Sequence, residues 1–142
     1  MKRIVVAVDG SPGAKRAIDV AASIAQATGA QLWILTIGGN MGGAQLRRLA
    51  ETGGDISEAL VKAAQKILKE AERRARRRGA TDIKSRSEWG DPAETIIGVV
   101  SRDKADMVVL GRRGRGRLSG LLLGSVSQKV ASLAPCAVLI VP

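Results

Sequence analysis

The sequence predicts a three-layer α/β sandwich, in which helices cover both faces of a five-stranded parallel sheet. Short apolar segments rich in Val and Ile alternate along the chain with longer segments whose apolar residues recur at helical spacing. Most of the strand segments are continuously apolar, which is typical of strands buried on both faces. The order βαβαβαβαβ requires right-handed crossover helices, so we expect a Rossmann-like fold.

The first strand and helix have clear local signals. Lys2 to Val8 contains a continuous apolar run that Asp9-Gly10 closes. Ser11-Pro12 offers an N-cap and a proline at the first helical position, and Gly29 offers a stop. We therefore predict a buried strand and a helix from about Pro12 to Thr28.

The second strand is predicted over Gln31 to Ile37. The glycine-rich segment 38–54 that follows is too long for a tight turn. We interpret it as an excursion with a short helix over Ala44 to Leu49.

A long helix is predicted from Asp55 to about Arg78. Asp55 and Glu58 have capping-box spacing, and Gly79 ends the helix. The predicted inward stripe consists of Ala59, Leu60, Ala63, Ala64, Ile67, Leu68, Ala71 and Ala75. The cations from Arg73 to Arg78 favour the negative end of the helix dipole, so we interpret them as a solvated helix end rather than an anion site.

Two further βα units complete the chain. Asp82 to Trp89 alternates as an edge strand with one wet side, and Gly90 to Glu94 has the signals that start a third helix ending near Arg102. The last elements are predicted at Asp106 to Gly111 (strand), about Ser125 to Ser132 (helix) and Cys136 to Val141 (strand).

Length and composition indicate a single domain over residues 1–142 with an aliphatic core, because the chain has no Phe or Tyr. No apolar run reaches the roughly 18 residues that span a bilayer, and Ile4 to Val8 is too short for a signal peptide. The single cysteine, Cys136, fits a reducing compartment. We expect a cytoplasmic protein without a membrane partner.

The formal net charge of +10 favours contact with polyanions. The cations are not interleaved with aromatic residues that could stack on bases, and many lie in one helix. We therefore expect nonspecific attraction to nucleic acid and no specific nucleic-acid partner. Without His and with one Cys, a zinc site is not expected.

A glycine- and arginine-rich stretch, Val108 to Ser127, contains the spacing G-x2-G-x9-G-S at Gly111, Gly114, Gly124 and Ser125. Glycines let backbone amides approach a ligand, and a helix N-terminus favours phosphate. The loop arginines are Arg112, Arg113, Arg115 and Arg117. We interpret the stretch as a phosphate-binding loop; a long flexible turn is the alternative.

The predicted sheet places this loop at a ligand-binding edge. In a strand order of 3-2-1-4-5, the winding reverses between the first and fourth strands, and ligands bind there at the carboxyl ends. Those strands end at Asp9 and Gly111.

The glycine spacing resembles the ATP-binding signature of the universal stress protein family. The opening IVVAVDGSPGAKRAI, the segment Trp89 to Glu94 and the segment Val108 to Pro142 are similar to the same family, so the resemblance covers nearly the whole chain. It implies the fold called adenine-nucleotide alpha-hydrolase-like and, for members with this signature, ATP binding.

The resemblance also implies a nucleotide pocket. Its residues would be Ala7, Val8, Asp9, Ile37, Leu110, Gly111, Arg112, Gly114, Gly124, Ser125, Val126 and Ser127. The first three would line the adenine and ribose, Ile37 and Leu110 would pack on the base, and the others would follow the ribose and phosphates. Asp9 could also hold Mg2+ through water; capping the entrance of the first helix is its alternative role.

The family often dimerises through its last strand, and Ala137 to Val141 resembles that segment. Pairing would cover an apolar edge; an edge blunted by Pro142 alone is the alternative.

We expect a dimeric switch that binds ATP and is recognised by a protein partner that the sequence does not identify. No catalytic residues are predicted, because the chain has no His and no Walker motif. A slow ATPase or related nucleotide-handling enzyme and a ligand-free structural dimer are the alternatives.

Overall fold

The structure, a computed structural model, describes residues 1–38, 47–48, 51, 56–112 and 123–142. Its sheet has five parallel strands in the order β3-β2-β1-β4-β5, which confirms the predicted topology. The strands are β1 (Arg3–Val8), β2 (Gln31–Gly38), β3 (Ile83–Trp89), β4 (Met107–Gly111) and β5 (Ala137–Val141). The helices are α1 (Pro12–Thr28), α2 (Ile56–Arg77), α3 (Pro92–Arg102) and α4 (Ser125–Leu133).

Two aliphatic clusters form the core, one on each face of the sheet. Along β1, Ile4, Val6 and Val8 pack with α1 and α2. Val5 and Ala7 pack with α3 and α4. We call these faces the α1–α2 face and the α3–α4 face. Within the described ranges, no helix is long and apolar enough to cross a bilayer.

The local helix signals act as predicted. The Ser11 hydroxyl accepts a hydrogen bond from the Ala14 amide (3.2 Å), and Gly29 ends α1 with φ +73°. The Asp91 carboxylate caps α3 through the Glu94 amide at 3.0 Å. The predicted capping-box residue Asp55 lies outside the described residues.

The predicted inward stripe of α2 is confirmed, with less burial toward the start of the helix. Ala64, Ala71 and Ala75 are buried, and the partly buried members are Ala59, Leu60, Ala63, Ile67 and Leu68. The 22 residues of α2 span about 33 Å, more than the length of its neighbouring strands, so its first turns have little sheet to pack against. In the preceding segment, residues 47, 48 and 51 are helical, and the rest of the predicted short helix lies outside the described residues.

Strand β3 is an edge strand, but its alternation is not the one predicted. Ser85 and Ser87 are exposed, whereas Arg86 and Glu88 are partly buried. The Arg86 guanidinium lies 5.2 Å from the centre of the Trp33 ring and donates to Asp103 Oδ2 at 2.8 Å. Tertiary contacts therefore cover the charged residues that the pattern assigned to solvent.

A partly buried cluster of ion pairs joins α1 to α2. Arg74 donates from Nε and Nη2 to the two carboxylate oxygens of Asp19, both at 2.7 Å, and Arg78 Nη2 lies 3.2 Å from Asp19 Oδ2. The prediction of a solvated helix end over Arg73 to Arg78 is therefore wrong for Arg74, whereas the Arg78 side chain is 55% exposed and stays solvated. The hydrogen bonds from Arg74 lower the pKa of Asp19 and outweigh the opposing effect of partial burial.

We predict that Asp19→Asn lowers the free energy of unfolding by about 1 kcal/mol at neutral pH, because the charge-assisted pair between α1 and α2 is lost. Since folding lowers the pKa of Asp19 from its ordinary value of 3.8, the pair stabilises the fold above that value and ceases to do so as pH falls through the folded pKa. Urea titrations of both proteins should thus converge in acid.

The matched control is Glu72→Gln, which removes a carboxylate from α2 that forms no ion pair with the described residues. It should leave the unfolding free energy nearly unchanged. A deficit in Asp19→Asn that stays the same from neutral pH to about pH 2 would show that the pair is not its source.

Candidate functional site

The carboxyl ends of β1 and β4 meet at the point where the winding reverses. The two strands pair in parallel, with Val6 opposite Val109. The chain leaves β1 for α1 on one face of the sheet and leaves β4 for α4 on the other face. The structure therefore brings Asp9 and Gly111 to the predicted crevice.

Four predicted apolar site residues share the α3–α4 face. Ala7, Ile37, Leu110 and Val126 all belong to the cluster on that face. Leu110 is buried and the other three are partly exposed. Val8 faces the opposite side and is only 5% exposed, so the structure separates it from this patch.

The turn after β1 is organised by its own side chains. Asp9 Oδ1 accepts a hydrogen bond from the Ser11 amide at 2.9 Å, and Gly10 has φ +82°. The cap of α1 is the Ser11 hydroxyl, so Asp9 shapes the entrance of the helix without capping it. Asp9 lies at the crevice, as the sequence predicts.

The first glycine of the motif has a packing role. A Cβ atom on Gly111 would lie 3.0 Å from the carbonyl carbon of Gly13 and 3.1 Å from its oxygen. A glycine at this position lets the end of β4 rest on the first turn of α1 without the shift of a few tenths of an ångström that a side chain would require. The sequence interpretation missed Gly13; the available signal was a glycine inside a helix, where propensity disfavours it.

The main chain of Arg112 closes the ends of the glycine loop. Its amide donates to the Val141 carbonyl at 2.7 Å, and its carbonyl accepts from the Gly124 amide at 2.8 Å. The same carbonyl accepts from the Ser127 hydroxyl at 2.7 Å. Ser127 is 2% exposed, so its hydroxyl holds the main chain of Arg112 from inside the protein.

Several predicted loop residues fall between these anchors. Gly114 and the arginines Arg113, Arg115 and Arg117 lie outside the described residues, so their predicted roles stay predictions. The described anchors, Arg112 and Gly124, fix where that part of the loop begins and ends.

Among the described residues of the crevice, the start of α4 is best suited to bind an anion. Gly124 occupies the N-cap position with φ −72° and ψ 166°, and no side chain caps the helix, in contrast to α1 and α3. Ser125 is exposed at the first helical position. Helix N-terminal amides carry partial positive charge, so this end can accept an anion.

Arg112 adds a second donor. Its Nε atom is buried and has no hydrogen-bond partner among the described residues. A buried, unpaired guanidinium N–H costs free energy unless an acceptor arrives. Among the described residues, no group of three or more Cys, Asp or Glu side chains could hold a metal ion.

Comparisons with a family model and with known proteins identify the same family. The model of the universal stress protein family matches residues 1–142. A universal stress protein of Thermus aquaticus is 38% identical over 146 residues, covering 99% of this chain and 98% of that protein. Residues of the two chains therefore correspond from end to end.

Solved structures agree. A universal stress protein in complex with cAMP is 34% identical, with a TM-score of 0.74 over 99% of this chain and 96% of that one. The protein UspA from Lactobacillus plantarum is 26% identical, with a TM-score of 0.81 over 99% of this chain and 97% of that one.

We predict that Ser127→Ala lowers the free energy of unfolding by about 1 kcal/mol, because the Arg112 carbonyl loses a buried hydrogen bond. Ser132→Ala is the matched control: its hydroxyl donates to the Gln128 carbonyl within the same helix and is exposed. That substitution should be neutral or slightly stabilising. Equal effects of the two substitutions in urea unfolding would contradict the assigned role of Ser127.

Proposed function

Because the chain belongs to the universal stress protein family, we propose that it binds an adenine nucleotide, ATP, in the crevice between the ends of β1 and β4. The observation that carries the proposal is the uncapped N-terminus of α4 beside Arg112, whose Nε is buried and unpaired. The related structure in complex with cAMP, 34% identical, supports an adenine nucleotide as the ligand class.

The two halves of the site suit the two halves of a nucleotide. Ala7, Ile37 and Leu110 form an aliphatic patch against which a purine can lie. Ser125 and the first amides of α4 offer donors to phosphate oxygens, and the Arg112 guanidinium adds a fixed positive charge. We infer that the base lies toward β2 and the phosphates toward α4.

Asp9 is the candidate for contact with the ribose or with Mg2+ through water. It follows the carboxyl end of β1, next to the end of β4 at Gly111. A bound Mg2+ would offset phosphate charge, and oxygen ligands are those it prefers. In this proposal Asp9 supports binding, and no residue of the chain is assigned a catalytic step.

The proposed role is that of a cytoplasmic regulatory switch that works as a homodimer. In β5, Val138, Leu139 and Ile140 are only partly buried, which leaves an apolar edge for a second copy. The Arg112 amide donates to the Val141 carbonyl, so the nucleotide loop is joined directly to this strand. ATP that binds one arrangement of the loop more tightly would bias the dimer, which a protein partner could then recognise.

The test of ligand identity is direct. Protein purified without added nucleotide is denatured, and the released nucleotides are separated by chromatography; ATP, ADP and AMP affinities are then measured with and without Mg2+. Retained ATP supports the switch. Steady release of ADP would identify a slow ATPase, and absence of binding would leave the ligand-free structural dimer.

We predict that Gly124→Asp weakens ATP binding at least tenfold, because the carboxylate would cap the first amides of α4 and repel phosphate. The backbone of Gly124 is extended, so Asp adopts this conformation without backbone strain and should stabilise the helix slightly. Affinity for adenosine, which has no phosphate, should stay the same in calorimetric titrations.

Gly124→Asn serves as the control for charge, since it caps the helix in the same way without a negative charge. It should weaken ATP binding less than Gly124→Asp does. If ATP binds Gly124→Asp as tightly as the unmodified protein, the phosphates do not lie at α4.

A further inference from the structure

A second cavity lies on the other face of the sheet. It has a volume of about 290 Å³ and opens between α1 and α2, next to the end of β1. Val8, Ile18 and Ile67 form part of its aliphatic wall. Lys15, Glu70 and Arg77 line it as charged residues.

This cavity is separate from the crevice proposed for the nucleotide. Val8 packs on the α1–α2 face, whereas Ala7, the residue before it, packs on the α3–α4 face. Successive side chains of a strand point to opposite faces, so the backbone of β1 lies between the two sites. A ligand in the second cavity would therefore leave the aliphatic patch at Ala7 uncovered.

Only one of the charged side chains that line the cavity has an ion-pair partner among the described residues. Arg74, which also lines it, is held by Asp19 through two hydrogen bonds of 2.7 Å. The side chains of Lys15, Glu70 and Arg77 form no ion pair or hydrogen bond with the described residues. Two unpaired cations against one unpaired carboxylate leave an excess of positive charge at the mouth of the cavity, which we define by Lys15, Glu70 and Arg77.

The wall and the mouth together define a ligand class. The wall is aliphatic and lacks the aromatic rings that would stack on a base or a sugar ring. The mouth favours an anion, and long cationic side chains keep their charged heads in water while their stems cover apolar surface. We propose that this cavity binds a short aliphatic carboxylate, with its alkyl chain against Ile18 and Ile67 and its carboxylate between Lys15 and Arg77.

The first test compares ligands. Butyrate, hexanoate and octanoate are titrated into the full chain carrying labelled isoleucine δ1-methyl groups, with hexylamine and hexanol as controls matched in chain length. Hexanoate should shift the NMR signals of Ile18 and Ile67 and not that of Ile96, which lies in the α3–α4 cluster. Affinity should rise about fourfold per added methylene until the chain fills the cavity. Absence of shifts, or equal binding of hexylamine, would overturn the proposal.

The second test compares variants. Arg77→Gln should weaken hexanoate binding about threefold and Glu70→Gln should strengthen it by a similar factor, because the two residues carry opposite charges at the mouth. Arg76→Gln, an exposed arginine of the same helix that does not line the cavity, should change nothing. Equal effects of Arg76→Gln and Arg77→Gln would indicate nonspecific attraction. Gly124→Asp should leave hexanoate binding intact, so this proposal and the nucleotide proposal can fail independently.

Discussion

Direct contact between the backbones of Gly111 and Gly13 is the constraint on which the arrangement of the crevice depends. A side chain on Gly111 would meet Gly13 at 3.0 Å, so any other residue would require β4 and α1 to move apart by a few tenths of an ångström. With glycine, the strand end rests on the helix, and Arg112 follows at a position where its amide reaches Val141 and its carbonyl reaches Gly124. The close contact between a strand and a helix thus precedes the residue whose main chain holds the start of α4.

The starts of α1, α3 and α4 differ in how their first amides are satisfied. Ser11 and Asp91 satisfy the first amides of α1 and α3 with their own side chains, whereas Gly124 has no side chain with which to do so. An Asn or Asp at this position would stabilise α4 modestly, and its absence leaves donors at the crevice for an external acceptor. Ser127 offsets part of that cost by holding the turn from beneath through Arg112.

Local sequence signals predicted the helices and strands. Side-chain pairings between residues far apart in the sequence could not be predicted in this way. The ends of α1 follow from Ser11, Pro12 and Gly29, which act within a few residues, so they were predictable. The strand order was available from the family resemblance. The pairing of Asp19 with Arg74 joins residues 55 positions apart, and the burial of Arg86 depends on Trp33 from another strand. At the crevice, the pattern identified Gly111 and Ser127 but assigned them to the ligand, because their packing against Gly13 and Arg112 is visible only in three dimensions.

The edge strand and the crevice are mechanically joined at the end of β5. Val141 accepts a hydrogen bond from the Arg112 amide, and the next residue, Pro142, accepts one from Arg16 Nε on α1 at 2.7 Å. The end of β5 is thus tied to the loop after β4 and to the helix after β1, the two elements that flank the reversal of winding. A displacement of Arg112 cannot occur without stretching its bond to Val141 or moving that strand end. Because β5 is an edge strand whose Val138, Leu139 and Ile140 are only partly buried, a displacement of Arg112 would move an apolar edge of the sheet without a rearrangement of the core.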